Sequence, residues 1–144
     1  MASPSHVVPS LAEFQATCRD AFGYLSEFGF VEVPPAPHRR QDPFQVWFRA
    51  DDRFVIARGE GYGTSASVSL EHSSGVHLDP IWLVPAALRP SRRPKHAKAP
   101  GQVEVIRTCA ARLLAHGADF LRGDLTQFLS LAKPLPAYAR QGDV

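Results

Sequence analysis

The residue types that could bind a metal lie together in the middle of the chain. His72, His77 and Asp79 carry imidazole and carboxylate groups, which bind zinc when four donors complete a tetrahedron. Their spacing matches no closed structural zinc site, and the polar residues around Gly75 favour a turn at the end of a strand. We therefore predict no metal site.

A glycine-rich stretch, GEGYGT, occupies residues 59–64. A phosphate-binding loop of this kind opens a helix, whose first backbone N–H groups bind the anion. Here the pattern of a strand follows instead, so the glycines favour a flexible connection between strands.

Motifs for nucleophilic catalysis are missing from the sequence. No Gly-x-Ser-x-Gly elbow occurs, and the two cysteines, Cys18 and Cys109, fall on the apolar faces of predicted helices. The carboxylates of Glu60, Glu71 and Asp79 are typical of solvated surface positions. We predict that the chain is not an enzyme, has no catalytic residues and binds no cofactor.

A basic segment covers residues 89–100, where prolines alternate with cations and no acid is present. Its five cations exceed the net charge of +2, so the rest of the chain is net acidic. The composition predicts a mobile, solvated loop. Its alternative role is nucleic-acid binding through phosphate contacts, although the segment contains no aromatic residue for base stacking. The cations are Arg89, Arg92, Arg93, Lys95 and Lys98.

The clearest local element is an amphipathic helix over residues 10–28, whose apolar residues recur at spacings of three and four. Ser10 and Glu13 form a capping box at its start, and Gly29 supplies the left-handed residue that ends it.

A β-hairpin follows this helix. Phe44, Val46 and Phe48 alternate with polar or amphipathic residues, a turn is expected at Asp51 and Asp52, and the alternation resumes at 54 and 56. Residues 65–71 alternate serine with apolar side chains, which predicts a strand with one buried and one solvated face.

The second half of the chain is mainly helical. Asp79 and Pro80 begin short turns that Pro85 interrupts, a longer helix runs from 102 to Gly123, and another begins at Asp124. Pro134 ends that last helix, and the tail after residue 136 is predicted to be frayed.

These elements predict a single α+β domain over residues 1–144. We expect an antiparallel sheet of about four strands, with the N-terminal helix and two C-terminal helices packed mainly on one face. Apolar residues make up 44% of the chain and charged residues 21%, which is typical of a globular protein. Neither a leader nor an apolar run of membrane-spanning length is present, so we expect a cytoplasmic protein without membrane contact.

An interaction surface is predicted around the two tryptophans. Trp47 falls on the solvated side of its strand, where it is either an exposed anchor for a partner or is covered by a helix or by the segment 81–88. The predicted surface comprises Trp47, Arg49, Tyr62, Glu71, Trp82, Arg92 and Arg93.

The layout resembles that of small uncharacterised bacterial α+β proteins of the toxin-immunity type. The resemblance rests on a helix that ends in the sequence LSEFGF at 25–30, the hairpin 46–56, the glycine loop and the sequence LRGD at 121–124. It implies a protein-binding module, an inhibitor or an immunity-type protein, whose partner is another protein. The alternatives are a nucleic-acid-binding accessory protein that uses residues 89–98, or a small-molecule-binding domain; a homodimer through exposed sheet edges is a further hypothesis.

Overall fold

The structure, a computed structural model, describes residues 10–90 and 100–139. Its helices are α1 (Leu11–Ala21), α2 (Gln102–His116), α3 (Ala118–Arg122) and α4 (Thr126–Leu131). Its strands are β1 (Val31–Val33), β2 (Gln45–Ala50), β3 (Arg53–Glu60), β4 (Ser65–His72), β5 (Val76–Leu78) and β6 (Lys133–Pro134). In these ranges no helix is both long and apolar enough to cross a membrane.

The six strands form one sheet in which spatial order equals chain order, and every neighbouring pair is antiparallel. The predicted α+β class and the antiparallel sheet are therefore confirmed. The β-prone run predicted at residues 30–33 is β1, but the expected number of about four strands was too low, because β5 and β6 have only three and two residues. Runs this short carry little alternation in the sequence.

Helix α1 begins with the predicted capping box, in which Glu13 N donates to Ser10 Oγ and Ser10 N donates to Glu13 Oε1. The α-helix is shorter than predicted. It ends at Ala21, and Gly23–Phe28 forms a tighter 3₁₀ helix in which Leu25 N donates to Phe22 O. Gly29 then ends the segment with φ of 83°, as predicted.

The predicted C-terminal helix is divided in two at Gly117. A Cβ atom there would lie 2.5 Å from Leu113 Cδ1 and 2.7 Å from Leu113 O, so only glycine allows this close packing of the turn. Gly123 ends α3, and Asp124 Oδ1 accepts a hydrogen bond from Thr126 N at the start of α4.

Arg53 connects the hairpin to the end of α3. Its Nη1 donates to Phe120 O at 2.7 Å and to Leu121 O at 2.6 Å, which gives the carbonyl groups at the helix end a charged donor. The Arg53 side chain also lies over the ring of Phe30, and the residue is only 7% exposed. This buried arginine therefore fixes α3 against the start of β3.

One face of the sheet, the core face, packs against the helices, as predicted. Val46, Phe48, Val55 and Leu70 project from the strands into a buried cluster with the helical side chains. The fully buried side chains of that cluster include Phe14, Phe22, Ile106, Leu113 and Phe120.

The opposite face of the sheet, the outer face, differs from the prediction. The register pairs Trp47 with Ile56 and Arg49 with Phe54, so the apolar residues at 54 and 56 lie on the same face as Trp47. Ile56 is nevertheless fully buried. The alternating pattern of β4 had indicated that the outer face is solvated. The structure shows that part of this face is covered.

Two predictions concern the ends of described ranges. Of the predicted mobile basic loop, residues 91–99 lie outside the described residues, as do residues 140–144 of the predicted frayed tail. In the part of the tail that is described, Ala139 is buried and His38 Nε2 lies 3.0 Å from Ala139 O, whereas Tyr138 is 76% exposed.

Candidate functional site on the outer face of the sheet

The centre of the outer face is closed by the segment between β1 and β2, residues 34–44. Arg39 of this segment lies over the Trp47 ring, with its guanidinium carbon 4.7 Å from the ring centroid. The side-chain amide of Gln45 donates to the carbonyls of Arg39 and Asp42, and Trp47 Nε1 donates to Gln45 Oε1 at 3.0 Å. The tryptophan is therefore covered, and its polar atom is satisfied.

A buried ion pair holds this segment on the sheet. Arg39 Nη1 lies 2.6 Å from Glu71 Oε1, and Nη2 lies 3.0 Å from Glu71 Oε2. The two side chains are 8% and 6% exposed. Because both charges have lost most of their water, the bidentate geometry is what offsets the cost of burying them.

Of the two alternatives for Trp47, the structure shows the covered one. Its exposed fraction is 4%, and the covering segment is 34–44 rather than a helix or residues 81–88. Glu71, also expected at the surface, is 5% exposed in its pair with Arg39. Neither residue can anchor a partner in this conformation.

A cleft of about 420 Å³ remains beside this cover, between residues 34–39, the β4–β5 turn and residues 135–139. Arg49, predicted as an interaction residue, lies at its rim and is exposed. Its Nε donates to Asp51 O at 2.7 Å and its guanidinium lies over the Phe54 ring, so its position is fixed.

A second depression, which we call the groove, occupies the other half of the outer face. It has a volume of about 490 Å³ and lies over β3, β4 and β5, between the segment after β5 and the strand β6. The side chains that define it are Arg58, Ser67, Ser69, His77, Trp82 and Lys133.

The groove has an excess of unpaired positive charge. Arg58 and Lys133 have no hydrogen-bond or ion-pair partner among residues 10–90 and 100–139. Asp79 is the carboxylate of the lining, and its Oδ1 accepts from Ile81 N, so the two cations exceed the lining carboxylate by one charge. The groove therefore offers donors to a negatively charged ligand.

Two hydroxyl groups and an imidazole complete the polar lining. Ser69 Oγ is buried and finds no partner in the described parts of the chain, although a buried hydroxyl normally makes a hydrogen bond. His77 lies opposite Glu71 in the register of β4 and β5, which places its ring on the outer face.

Trp82 forms one wall of the groove and is 46% exposed. It lies in the short 3₁₀ helix Pro80–Leu83, which begins with the predicted Asp79 cap. Arg89 stacks on it, with the guanidinium carbon 4.8 Å from the ring centroid, and Arg89 Nε donates to Val84 O. The stacked guanidinium thus holds the exposed indole in place.

The other predicted interaction residues are Tyr62, Arg92 and Arg93. Tyr62 lies in the 3₁₀ turn Gly61–Gly63 between β3 and β4. Arg92 and Arg93 lie outside the described residues. Of the predicted set, Trp82 lines the groove.

The site residues that sequence reasoning missed are Arg58, Ser69, His77 as a groove residue, and Lys133. Arg58 continues the alternation of Phe54 and Ile56 on the outer face, so its side of the sheet could have been read from the strand period. The position of Lys133 beside the groove could not be predicted in this way, because β6 pairs with β5 across more than fifty intervening residues.

Across the ranges that the structure covers, no three His, Cys, Asp or Glu side chains are placed to hold a metal ion. His72 and His77 lie on opposite faces of the sheet. Burial raises the pKa of the Cys18 thiol to about 12 and that of Cys109 to about 11, which leaves both cysteines as neutral thiols at physiological pH.

Compared with models of known protein families, with curated proteins and with solved structures, the chain matches none of them. The proposals below therefore rest on the fold, on the groove and on the resemblance described from the sequence.

Proposed function

We propose that this chain is a protein-binding module whose contact surface is centred on Trp82 and Arg89. The observation that carries the proposal is the exposed, pre-positioned Trp82 ring beside a groove with unpaired cations. Tryptophan and arginine are the residue types most enriched among the contacts that dominate protein interfaces. Because Arg89 already fixes the indole, little side-chain entropy is lost on binding.

The finer form of the proposal is an inhibitor or immunity-type protein that acts in the cytoplasm. The resemblance described from the sequence supports this form, and so does the small size of the domain, which can block a partner by steric and electrostatic complementarity. This form requires that the partner has an activity and that binding suppresses it.

Affinity capture with the full chain as bait, from an extract of the organism that encodes it, tests the proposal. We expect a retained protein whose affinity falls about 30-fold for Trp82→Ala, the loss typical of a dominant interface residue. Leu114→Ala is the matched control, because Leu114 is 49% exposed, similar to Trp82, and does not line the groove. Retention that is equally insensitive to both substitutions would overturn the assignment of the surface.

A small-molecule-binding domain is the second candidate. The groove volume lies within the usual range of ligand cavities, and the unpartnered Ser69 Oγ offers a buried polar contact. A calorimetric screen of aromatic and aliphatic carboxylates distinguishes the two candidates, since saturable binding abolished by Ser69→Ala would favour the small ligand. Nucleic-acid binding through residues 89–98 stays a prediction, because most of that segment lies outside the described residues.

A further inference from the structure

Part of the β4 edge beside the groove has no neighbouring strand among residues 10–90 and 100–139. Strand β3 pairs with all eight residues of β4, whereas β5 pairs only with Leu70, Glu71 and His72. Within the described ranges, no strand pairs with Ser65–Ser69 on the side away from β3. Every second residue of an antiparallel strand directs its N–H and C=O groups to that side, so these groups are available to another chain.

Space for another chain exists along this edge. The groove touches Ser67, Val68 and Ser69 from the outer face, and a further cavity of about 480 Å³ touches Ala66, Ser67 and Val68. The two depressions therefore adjoin along the open part of β4. A strand of about five residues would match the unpaired length, at the usual rise per residue.

The charged side chains around the β4 edge favour a partner segment of opposite charge. Arg58 and Lys133 lie in the groove, while Arg89 and Arg112 line the second cavity. Asp79 also lines both cavities, so the cations outnumber the lining carboxylate two to one in each. Alternate side chains of an added strand would meet Arg58 and Lys133 on the outer face, which favours acidic residues at those positions.

We infer that the partner contributes an extended acidic segment that pairs with β4 at Ser65–Ser69 and adds a strand to the sheet there. This inference rests on the proposed function and specifies its partner. Backbone hydrogen bonds would supply affinity, contacts of acidic side chains with Arg58 and Lys133 would supply specificity, and Trp82 would cover the side of the added strand.

Selection of random peptides displayed on phage against the full chain tests the inference. We expect enrichment of acidic, β-prone peptides, and binding of the synthetic peptides should fall about tenfold for Arg58→Glu or Lys133→Glu. Arg107→Glu is the matched control, because it makes the same charge change on an exposed residue of α2 that lines neither cavity. Enrichment of basic or uncharged peptides would overturn the inference, and so would a failure to enrich any peptide.

Two further measurements distinguish strand addition from another mode of docking. The bound peptide should slow amide hydrogen exchange at 65–69, and N-methylation of its backbone should weaken binding about tenfold through the loss of two or so hydrogen bonds. Peptides that depend on Trp82 yet leave these amides unprotected would overturn strand addition while the proposed function stands. Protection of the same amides by self-association would identify a second copy as the occupant and would also overturn the inference.

Discussion

The guanidinium carbon of Arg39 lies 4.7 Å from the centre of the Trp47 ring, while the same group forms two hydrogen bonds to Glu71. One side chain therefore covers the tryptophan and neutralises a buried carboxylate. Trp47 is therefore covered, and the exposed tryptophan of the outer face is Trp82, in the other half of that face.

We predict that breaking the buried ion pair destabilises the domain strongly. Glu71→Gln leaves the Arg39 charge buried without its partner and should lower the free energy of unfolding by about 3 kcal/mol. Urea denaturation measures the change. The control is Glu32→Gln, which breaks the Arg19–Glu32 pair, whose side chains are 53% and 40% exposed. The control should have a much smaller effect, and equal effects would contradict the buried role of the Arg39–Glu71 pair.

Arg53 should contribute far more to stability than Arg58, which lies on the same strand. Arg53→Met removes the charged donor of two carbonyls at the end of α3, and we expect a loss of about 3 kcal/mol in the free energy of unfolding. Arg58→Met is matched in chemistry but has no partner to lose, so its effect should stay within about 0.5 kcal/mol. A large effect at Arg58 would contradict its assignment as an unpaired groove residue.

The sequence correctly predicted features that depend only on residues a few positions apart in the chain. The Ser10–Glu13 capping box, the left-handed glycines at 29 and 123 and the cap at Asp79 all appear in the structure. Each depends on hydrogen bonds or backbone angles inside a single turn, so residue type and spacing are sufficient to predict it.

The cover over Trp47 could not be predicted because its cause is distant in the chain. Arg39 lies in a proline-rich segment typical of a solvated loop, and its partner Glu71 is 32 residues away. The apolar outer-face residues Phe54 and Ile56 were the available signal. With Val55 and Ala57 they make β3 apolar on both faces, which is typical of a strand that is covered on both sides.

The cysteines should be unreactive while the chain is folded. Burial is the largest cause of their raised pKa values, and a nearby carboxylate adds to it, Glu32 for Cys18 and Asp79 for Cys109. Since the thiolate is the reacting species, a chromogenic disulfide reagent at neutral pH should modify either thiol at least about a hundredfold more slowly than in urea-unfolded protein. Rapid labelling of the folded chain would contradict the buried positions.

The Arg19–Glu32 pair should make stability depend on acid pH. Hydrogen bonding to Arg19 holds the pKa of Glu32 below its ordinary value, so the folded state favours the ionised carboxylate. The pair therefore contributes stability above the ordinary carboxyl pKa, and this contribution is lost as pH falls through the lower folded value.

The melting temperatures of the wild type and Glu32→Gln measure this dependence. We expect a difference that is constant near neutral pH and disappears in acid. Arg19→Met should remove the same pH-dependent part, and a difference that grows on acidification would contradict the sign of the pKa shift.

The central claim is that the free aromatic surface of the outer face is at Trp82 and that Trp47 is sealed. Because the chain has two tryptophans, Trp82→Phe and Trp47→Phe each leave one of them as the fluorescent probe. Acrylamide quenching should be strong, with red-shifted emission, when only Trp82 remains, and weak, with blue-shifted emission, when only Trp47 remains. Equal quenching of the two, or stronger quenching of Trp47, would contradict the account.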